Sequence, residues 1–259
     1  MEFMYEGKPV AIETLGEGKP LLVLHGWGSS GAVMKPLAAS LKINREIHLI
    51  DLPGFGRSPS PDRAWQIDDY ADLVADYIRH LGRGPVDLLA HSFGGRITLK
   101  LCARPESAEL VNLILITGGA GMKPRRKPIF YVKKYTAKSL KAPLQLLPQP
   151  LRDAALAKLR ASALWKALGS SDYQTLSGTL REIFVKTVSE YLEGCLPHVR
   201  QSTLLLWGVN DDATPLYQAE RMRDAMPNAA LVTIEHAGHY AFLDQPHKFK
   251  AIAEAFYNA

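Results

Sequence analysis

Leu88-Leu89-Ala90-His91-Ser92-Phe93-Gly94-Gly95 is the stretch that decides how this chain is read. An apolar run of strand type stops on a serine, and a run of helical type, reaching Ala103, starts from it. A sharp turn between two such elements holds a hydroxyl at the strand end, where it can attack a carbonyl. The small residues around Ser92 have a steric reason, because strand and helix backbones approach closely there. A serine alone is a weak nucleophile. It needs a base, an acid that orients the base, and N–H groups that receive an oxyanion. The competing reading of Ser92 is a helix N-cap, a position serine fills well.

Upstream, Leu21-Leu22-Val23-Leu24 is a continuous apolar run ending at His25-Gly26-Trp27-Gly28, which suits a central strand covered on both faces. Ser30–Leu41 predicts a helix and Ile47–Asp51 a strand, followed by a loop to Ser58. Ile67–Leu81 carries Tyr70, Leu73, Val74, Tyr77 and Ile78 at helical spacing, with Asp68 and Asp69 in its first turn. Val86–Ala90 and Val111–Ile116 predict strands on either side of the Phe93–Ala103 helix. At the start, Phe3–Tyr5 and Val10–Ile12 read as two short strands joined across Glu6-Gly7-Lys8-Pro9. Strand and helix signals alternate from residue 21 to 121, the pattern of an open, mostly parallel, three-layer α/β sheet.

The alternation breaks between residues 122 and 198, which hold no convincing strand, several prolines, and helical patterns at Leu151–Leu168 and Tyr173–Tyr191. Strand signals return at Thr203–Gly208 and Ala230–Ile234, with helices at Pro215–Met226 and His247–Tyr257. The expected organisation is a core of residues 1–121 and 199–259, an eight-stranded sheet, and a helical cap inserted as residues 122–198.

At 259 residues, 47% hydrophobic and 22% charged, the chain has the composition of a soluble globular protein with room for one large domain. No apolar run approaches the roughly 20 residues needed to span a bilayer. The first residues lack a basic region followed by an apolar stretch, and two cysteines make no disulfide framework, so the expectation is a cytoplasmic protein. Net charge is +5, but eight Lys or Arg and no acidic residue lie between Lys123 and Lys141. That stretch reads first as a solvated surface without a clear long amphipathic helix. Neither a nucleic-acid partner nor stable membrane insertion is expected from it, and a homodimer is left open. Gly54 and Gly56 lie inside a loop at the wrong spacing for a dinucleotide fingerprint. No His, Cys and carboxylate cluster has metal-ligand spacing, so no cofactor or metal is expected.

Ala90-His91-Ser92-Phe93-Gly94, His25-Gly26-Trp27-Gly28, the Asp51–Ser58 loop, Trp207-Gly208-Val209-Asn210-Asp211 and Gly238-His239 together resemble the alpha/beta-hydrolase superfamily over nearly the whole chain. The likeness extends to its lid-bearing carboxylesterase and carbon–carbon bond hydrolase branches. The family's elbow is Gly-x-Ser-x-Gly; Ala90 replaces the first glycine, adding one methyl where smallness is what matters. The resemblance implies Ser92 as nucleophile and His239, rather than His236, as base. It implies Asp211, three residues past Gly208, as the orienting acid, with Asp212 the neighbouring alternative. The order Ser, Asp, His is the hydrolase order. The oxyanion hole would be the backbone N–H groups of Trp27 and Phe93, with His25 a support of the Trp27 loop. The cap would roof the pocket, and the expected substrate-binding side chains are Trp27, Phe93, Phe130, Leu147, Trp165 and Tyr240. The implied function is a serine hydrolase cleaving small to medium apolar carboxylic esters through an acyl-enzyme, with a small-molecule ester as partner. Serine at the elbow disfavours the family's aspartate-dependent dehalogenases and epoxide hydrolases. Two alternatives stand beside it. One is a hydrolase of ring-cleavage-type dienoic diketone acids, weakened by Val209 where that branch carries arginine. The other is a non-catalytic ligand-binding protein of the same fold.

Overall fold

The computed structural model describes residues 3–125, 128–162 and 178–259. Its first two strands, β1 (Phe3–Tyr5) and β2 (Lys8–Val10), pair as a separate ribbon. The turn between them is Glu6-Gly7, both at positive φ (47° and 73°), the conformation of a tight two-residue hairpin. The remaining strands are β3 (Ile12–Leu15), β4 (Lys19–Leu24), β5 (Arg45–Ile50), β6 (Val86–His91), β7 (Val111–Thr117), β8 (Ser202–Gly208) and β9 (Ala229–Ile234). They form one sheet in the order β3-β5-β4-β6-β7-β8-β9, in which only β3 runs antiparallel to its neighbour.

Among the described residues the central sheet therefore has seven strands, not the eight expected from sequence. The difference arises at Ala11. Its carbonyl still accepts from Asp51 N–H (2.9 Å), but its N–H turns away to donate to Ser58 Oγ (2.9 Å). The sheet ladder ends there, and the chain before it folds into its own ribbon.

β4 and β6 read as near-continuous apolar runs because helices cover both faces of the sheet. Leu21, Val23, Leu49, Leu89, Leu115 and Leu206 share one core cluster with Met34 and Leu37 of α1 (Gly31–Ser40) and with Phe249 and Tyr257 of the C-terminal helix Pro246–Asn258. Alternate residues of the same strands point the other way, where α2 (Ile67–Leu81) packs on α3 (Phe93–Cys102). α2 starts where Gln66 N–H donates to Asp69 Oδ2 (2.6 Å) and stops at Gly82, whose φ of 60° is the left-handed C-cap geometry.

The chain divides into two compact units, Met1–Lys123 with Val185–Ala259, and Pro124–Phe184. The insertion expected at 122–198 is wider than this second unit. The stretch from Val185 onward belongs with the core because Arg96 donates to the carbonyls of Thr187 (2.8 Å) and Glu190 (2.7 Å), and Leu192 N–H to that of Gly121 (2.9 Å). Past the short α4 (Ser107–Leu110) of the first unit, the second unit holds α5 (Pro128–Lys141), a 3-10 turn at Pro143–Leu146 and α6 (Gln149–Ala161). The basic stretch, where no clear long amphipathic helix is expected and no helix is assigned from sequence, contains 14 helical residues opened by a proline, which a first turn tolerates. The helix expected to start at Tyr173 is described from Gly178 to Ser189, and residues 163–177 lie outside the described residues.

The sheet order reverses at β4: the chain adds β5 on one side, then crosses to place β6 on the other. A crevice beyond the carboxyl ends of such strands is where ligands bind in open α/β sheets. The Leu24↔Ala90 register brings the loop after β4 and the turn after β6 side by side there. α3 comes so close to β4 that a Cβ on Gly94 would lie 2.4 Å from the carbonyl oxygen of Leu24. Because that neighbour is backbone, Gly94→Ala should lower stability by about 2 kcal/mol or more. Chemical denaturation checks this; a variant with the wild-type midpoint would show that the elbow can open.

Candidate active site

Ser92 sits between β6 and α3 at φ 49° and ψ −105°, a backbone conformation that side-chain-bearing residues rarely adopt. Its surroundings over-determine it. Ser92 N–H donates to Thr117 O (3.1 Å), and its carbonyl accepts from Gly95 N–H (3.0 Å) and Ala120 N–H (3.0 Å). The first N–H groups of a helix have no intrahelical acceptor. In α3 the second is satisfied by His25 O (3.1 Å, from Gly94) and the third by Ser92 O, while that of Phe93 meets no protein acceptor among the described residues. An unoccupied donor directly after the serine is what an oxyanion would use.

Trp27 reaches this place from the loop after β4. A Cβ on Gly26 would lie 3.3 Å from Ser92 Cβ, so the two loops touch. His25 fixes the Trp27 loop: its Nδ1–H donates to Gly26 O (2.7 Å) and its Nε2 accepts from Leu52 N–H (3.0 Å), which makes it a neutral support. The Trp27 ring meets Phe55 at 4.8 Å and Phe93 at 5.2 Å, both edge-on, giving the turn an aromatic wall.

Asp211 lies just past β8, and its side chain is buried. Oδ1 accepts from Ala213 N–H (3.0 Å) and Thr214 N–H (2.8 Å). Oδ2 accepts from Thr214 Oγ1 (2.8 Å) and from His239 Nδ1–H (2.9 Å). Burial alone would push this carboxyl's pKa up; the bonds from His239 and Thr214 and the attraction of His239 outweigh it and hold the pKa below its ordinary value. With Nδ1–H committed to Asp211, Nε2 is the basic atom of His239. Asp212 and His236 are exposed, and neither joins this pair.

His239 is tied to the elbow through its backbone. His91 Nε2–H donates to His239 O (3.1 Å), and the two rings lie 4.8 Å apart. Gly118, at φ 55°, leaves room for the imidazole: a Cβ there would stand 2.9 Å from His239 Nδ1. Ser92 Oγ and His239 share no hydrogen bond, a contact that in such sites often tightens only in the Michaelis complex. The Tyr240 ring stands 5.5 Å from His239 and 4.8 Å from His91, and is partly exposed. Of the other side chains expected to bind substrate, Leu147 is exposed, Phe130 falls on α5, and Trp165 lies outside the described residues. Sequence reasoning did not single out His91, Gly118 or Thr214. Thr214 alone left a signal, a hydroxyl three residues past a candidate aspartate and just before a helix-starting proline.

Among the described residues no group of three or more His, Cys, Asp or Glu could hold a metal ion, and no helix is long and apolar enough to cross a membrane.

A sequence model of the alpha/beta hydrolase family matches residues 21–252. The chain is 30% identical over 261 positions to a pimeloyl-[acyl-carrier protein] methyl ester esterase of Nitrosomonas europaea, covering 95% of this chain and 98% of that one. It is 27% identical to the AB hydrolase superfamily protein YisY of Bacillus subtilis, covering 96% and 95%. Among solved structures, the esterase EaEST from Exiguobacterium antarcticum shares the fold with a TM-score of 0.73 at 22% identity, covering 98% of this chain and 97% of that one. A meta-cleavage product hydrolase from Pseudomonas fluorescens IP01 does so at 0.71 and 17%, covering 100% and 97%.

Burial lowers the pKa of His25, His48 and His91; that of His91 falls to about 3, with His239 nearby adding to the effect. In the unfolded chain these groups protonate near pH ~6.5. Between there and about pH 3 the unfolded state binds more protons, so stability is lost as pH falls. His91→Gln removes one such group and should flatten the fall between pH 6 and pH 4 by up to about 1.4 kcal/mol per pH unit. Urea unfolding across that range reads the slope, and an unchanged slope would mean that His91 titrates normally in the fold.

Proposed function

This chain belongs to the alpha/beta hydrolase family, and we propose that it is a serine-dependent carboxylesterase acting on small to medium apolar esters. The observation that carries this reading is the Asp211–His239 pair, with the imidazole Nδ1–H held at 2.9 Å, at the same end of the sheet as the strained Ser92. The name of the Nitrosomonas europaea relative supports the ester class, since it is called a methyl ester esterase.

In the proposed reaction His239 Nε2 takes the proton of Ser92 Oγ as the oxygen attacks the ester carbonyl. The charge that develops on the carbonyl oxygen is received by the N–H groups of Phe93 and Trp27. Asp211, held ionised by its own donors, stabilises the imidazolium. The intermediate collapses, the C–O bond to the alcohol breaks, and the alcohol leaves with the proton from Nε2. Water then attacks the acyl-enzyme with His239 as base, releasing the acid and restoring Ser92. The reaction needs no cofactor. Trp27, Phe93 and Tyr240 supply apolar surface for the acyl or alkyl group. A carbon–carbon bond hydrolase is less favoured, since the residue after Trp207-Gly208 is Val209 and offers no guanidinium to a substrate carboxylate.

The test is a substrate panel of short and medium esters, lactones, thioesters and a dienoic diketone acid, run on the wild type, Ser92→Ala and Asp211→Asn. Ester turnover should dominate, and each variant should lose about 10⁴-fold or more in kcat. An organophosphonate should label Ser92 stoichiometrically. Diketone turnover far above ester turnover, or an unlabelled serine, would sink the esterase reading.

A further inference from the structure

We infer that Thr214 is a positioning residue for the acid–base pair: its hydroxyl shares Asp211 Oδ2 with His239 and moderates how strongly the carboxylate holds the charged imidazole. The inference rests on the reading of Asp211 and His239 as that pair. An ionised carboxylate offers about four acceptor sites. Here all four are used, two on Oδ1 by the N–H groups of Ala213 and Thr214, and two on Oδ2 by the Thr214 hydroxyl and His239 Nδ1–H. The group has one orientation, and one of its four donors is a side chain that no step of acyl transfer requires.

Thr214 is itself held from behind. It is buried, and its carbonyl accepts from Trp207 Nε1–H (2.7 Å). Its Oγ1 lies 2.8 Å from Asp211 Oδ2 but 3.4 Å from His239 Nδ1, so its hydrogen points to the carboxylate, on the side of the imidazole away from Nε2. A hydroxyl in that place does not meet substrate. It acts on the charge that faces Nδ1.

The consequence has a definite sign. A donor to a carboxylate stabilises the anion and draws charge away from the oxygen it touches. With Thr214 in place, Asp211 attracts the imidazolium less than a bare carboxylate would. The proton on Nε2 is then returned to the leaving alcohol against a weaker pull from Oδ2. Without the hydroxyl, Oδ2 faces His239 alone and the imidazolium is held more tightly. The other titratable groups around His239 do not change in this comparison. His91 is buried and neutral, Tyr240 flanks the ring at 5.5 Å, and Asp244 Oδ2 accepts from Gly238 N–H (2.7 Å).

Thr214→Val removes the hydroxyl at nearly constant volume, and Thr214→Ser keeps it. The titration midpoint of His239 is read by NMR on histidine-labelled protein without substrate, its signal assigned by its loss in His239→Gln. In Thr214→Val the midpoint should rise by roughly half to one pH unit, and in Thr214→Ser it should return to the wild-type value. The acid limb of kcat/KM on an ester should move up by the same amount. If the valine variant does not fold, Thr214→Ala carries the same expectation. A midpoint that stays or falls in the hydroxyl-free variant, or that serine does not restore, overturns the inference. A wild type that turns over no ester overturns the esterase reading instead, and the NMR midpoint still decides the role of Thr214.

Discussion

The close approach of α3 to β4 is the constraint on which the rest of this site depends. A helix whose first turn lies against a strand carbonyl, where a Cβ at Gly94 would stand 2.4 Å from Leu24 O, leaves the chain one way out of β6. That path forces Ser92 to positive φ, and a serine there is strained unless its backbone groups are taken. They are taken by Thr117, Gly95 and Ala120, which belong to β7, α3 and the loop after β7. The hydroxyl and the vacant Phe93 N–H are by-products of the same turn. On the proposed mechanism, one steric demand thus supplies both the nucleophile position and an oxyanion donor, with no side chain needed for the second.

The elbow's departure from the usual glycine follows from the same geometry. Ala90 is still in β6, paired with Leu24 on one side and Ile116 on the other, with ordinary extended backbone and a fully buried methyl. The tight contacts fall on the helix side, at Gly94 against Leu24 and at Gly95 against Gly119 and Ile116. Smallness before the serine is a packing preference, while smallness after it is a requirement.

The layered fold was legible because parallel strands buried on both faces appear as unbroken apolar runs, and because α2 has a helical stripe with a start and a stop. The seven-strand count was not, since it turns on a single N–H at Ala11 that leaves the ladder for Ser58 Oγ. The helix at Pro128–Lys141 was missed because a run of lysines hides helical spacing under its charge. At the site, Ser92 stood out by its place between strand and helix, whereas Asp211 and His239 were singled out from Asp212 and His236 by the family resemblance; the side chains of Asp211 and His239 do meet. Gly118 and His91 left no signal, and Thr214 left only a hydroxyl three residues past Asp211. Their parts are defined by what lies across from them, Asp211 Oδ2 for Thr214, the His239 ring for Gly118 and the His239 carbonyl for His91, and no periodicity carries that.

His91 and His239 illustrate how environment separates two like groups. Their rings lie 4.8 Å apart, close enough that two imidazolium ions would repel strongly in a half-buried site. Burial resolves the conflict by keeping His91 neutral down to about pH 3, so that it offers an N–H to the His239 carbonyl and no charge to its ring. Asp211 resolves it from the other side by placing a carboxylate at Nδ1 of His239 alone. On the proposed mechanism, His239 is the partner that must gain and lose a proton in each half-reaction. The neutral neighbour anchors its backbone without competing for that proton, and the residue before the nucleophile is thereby part of what keeps the base in place.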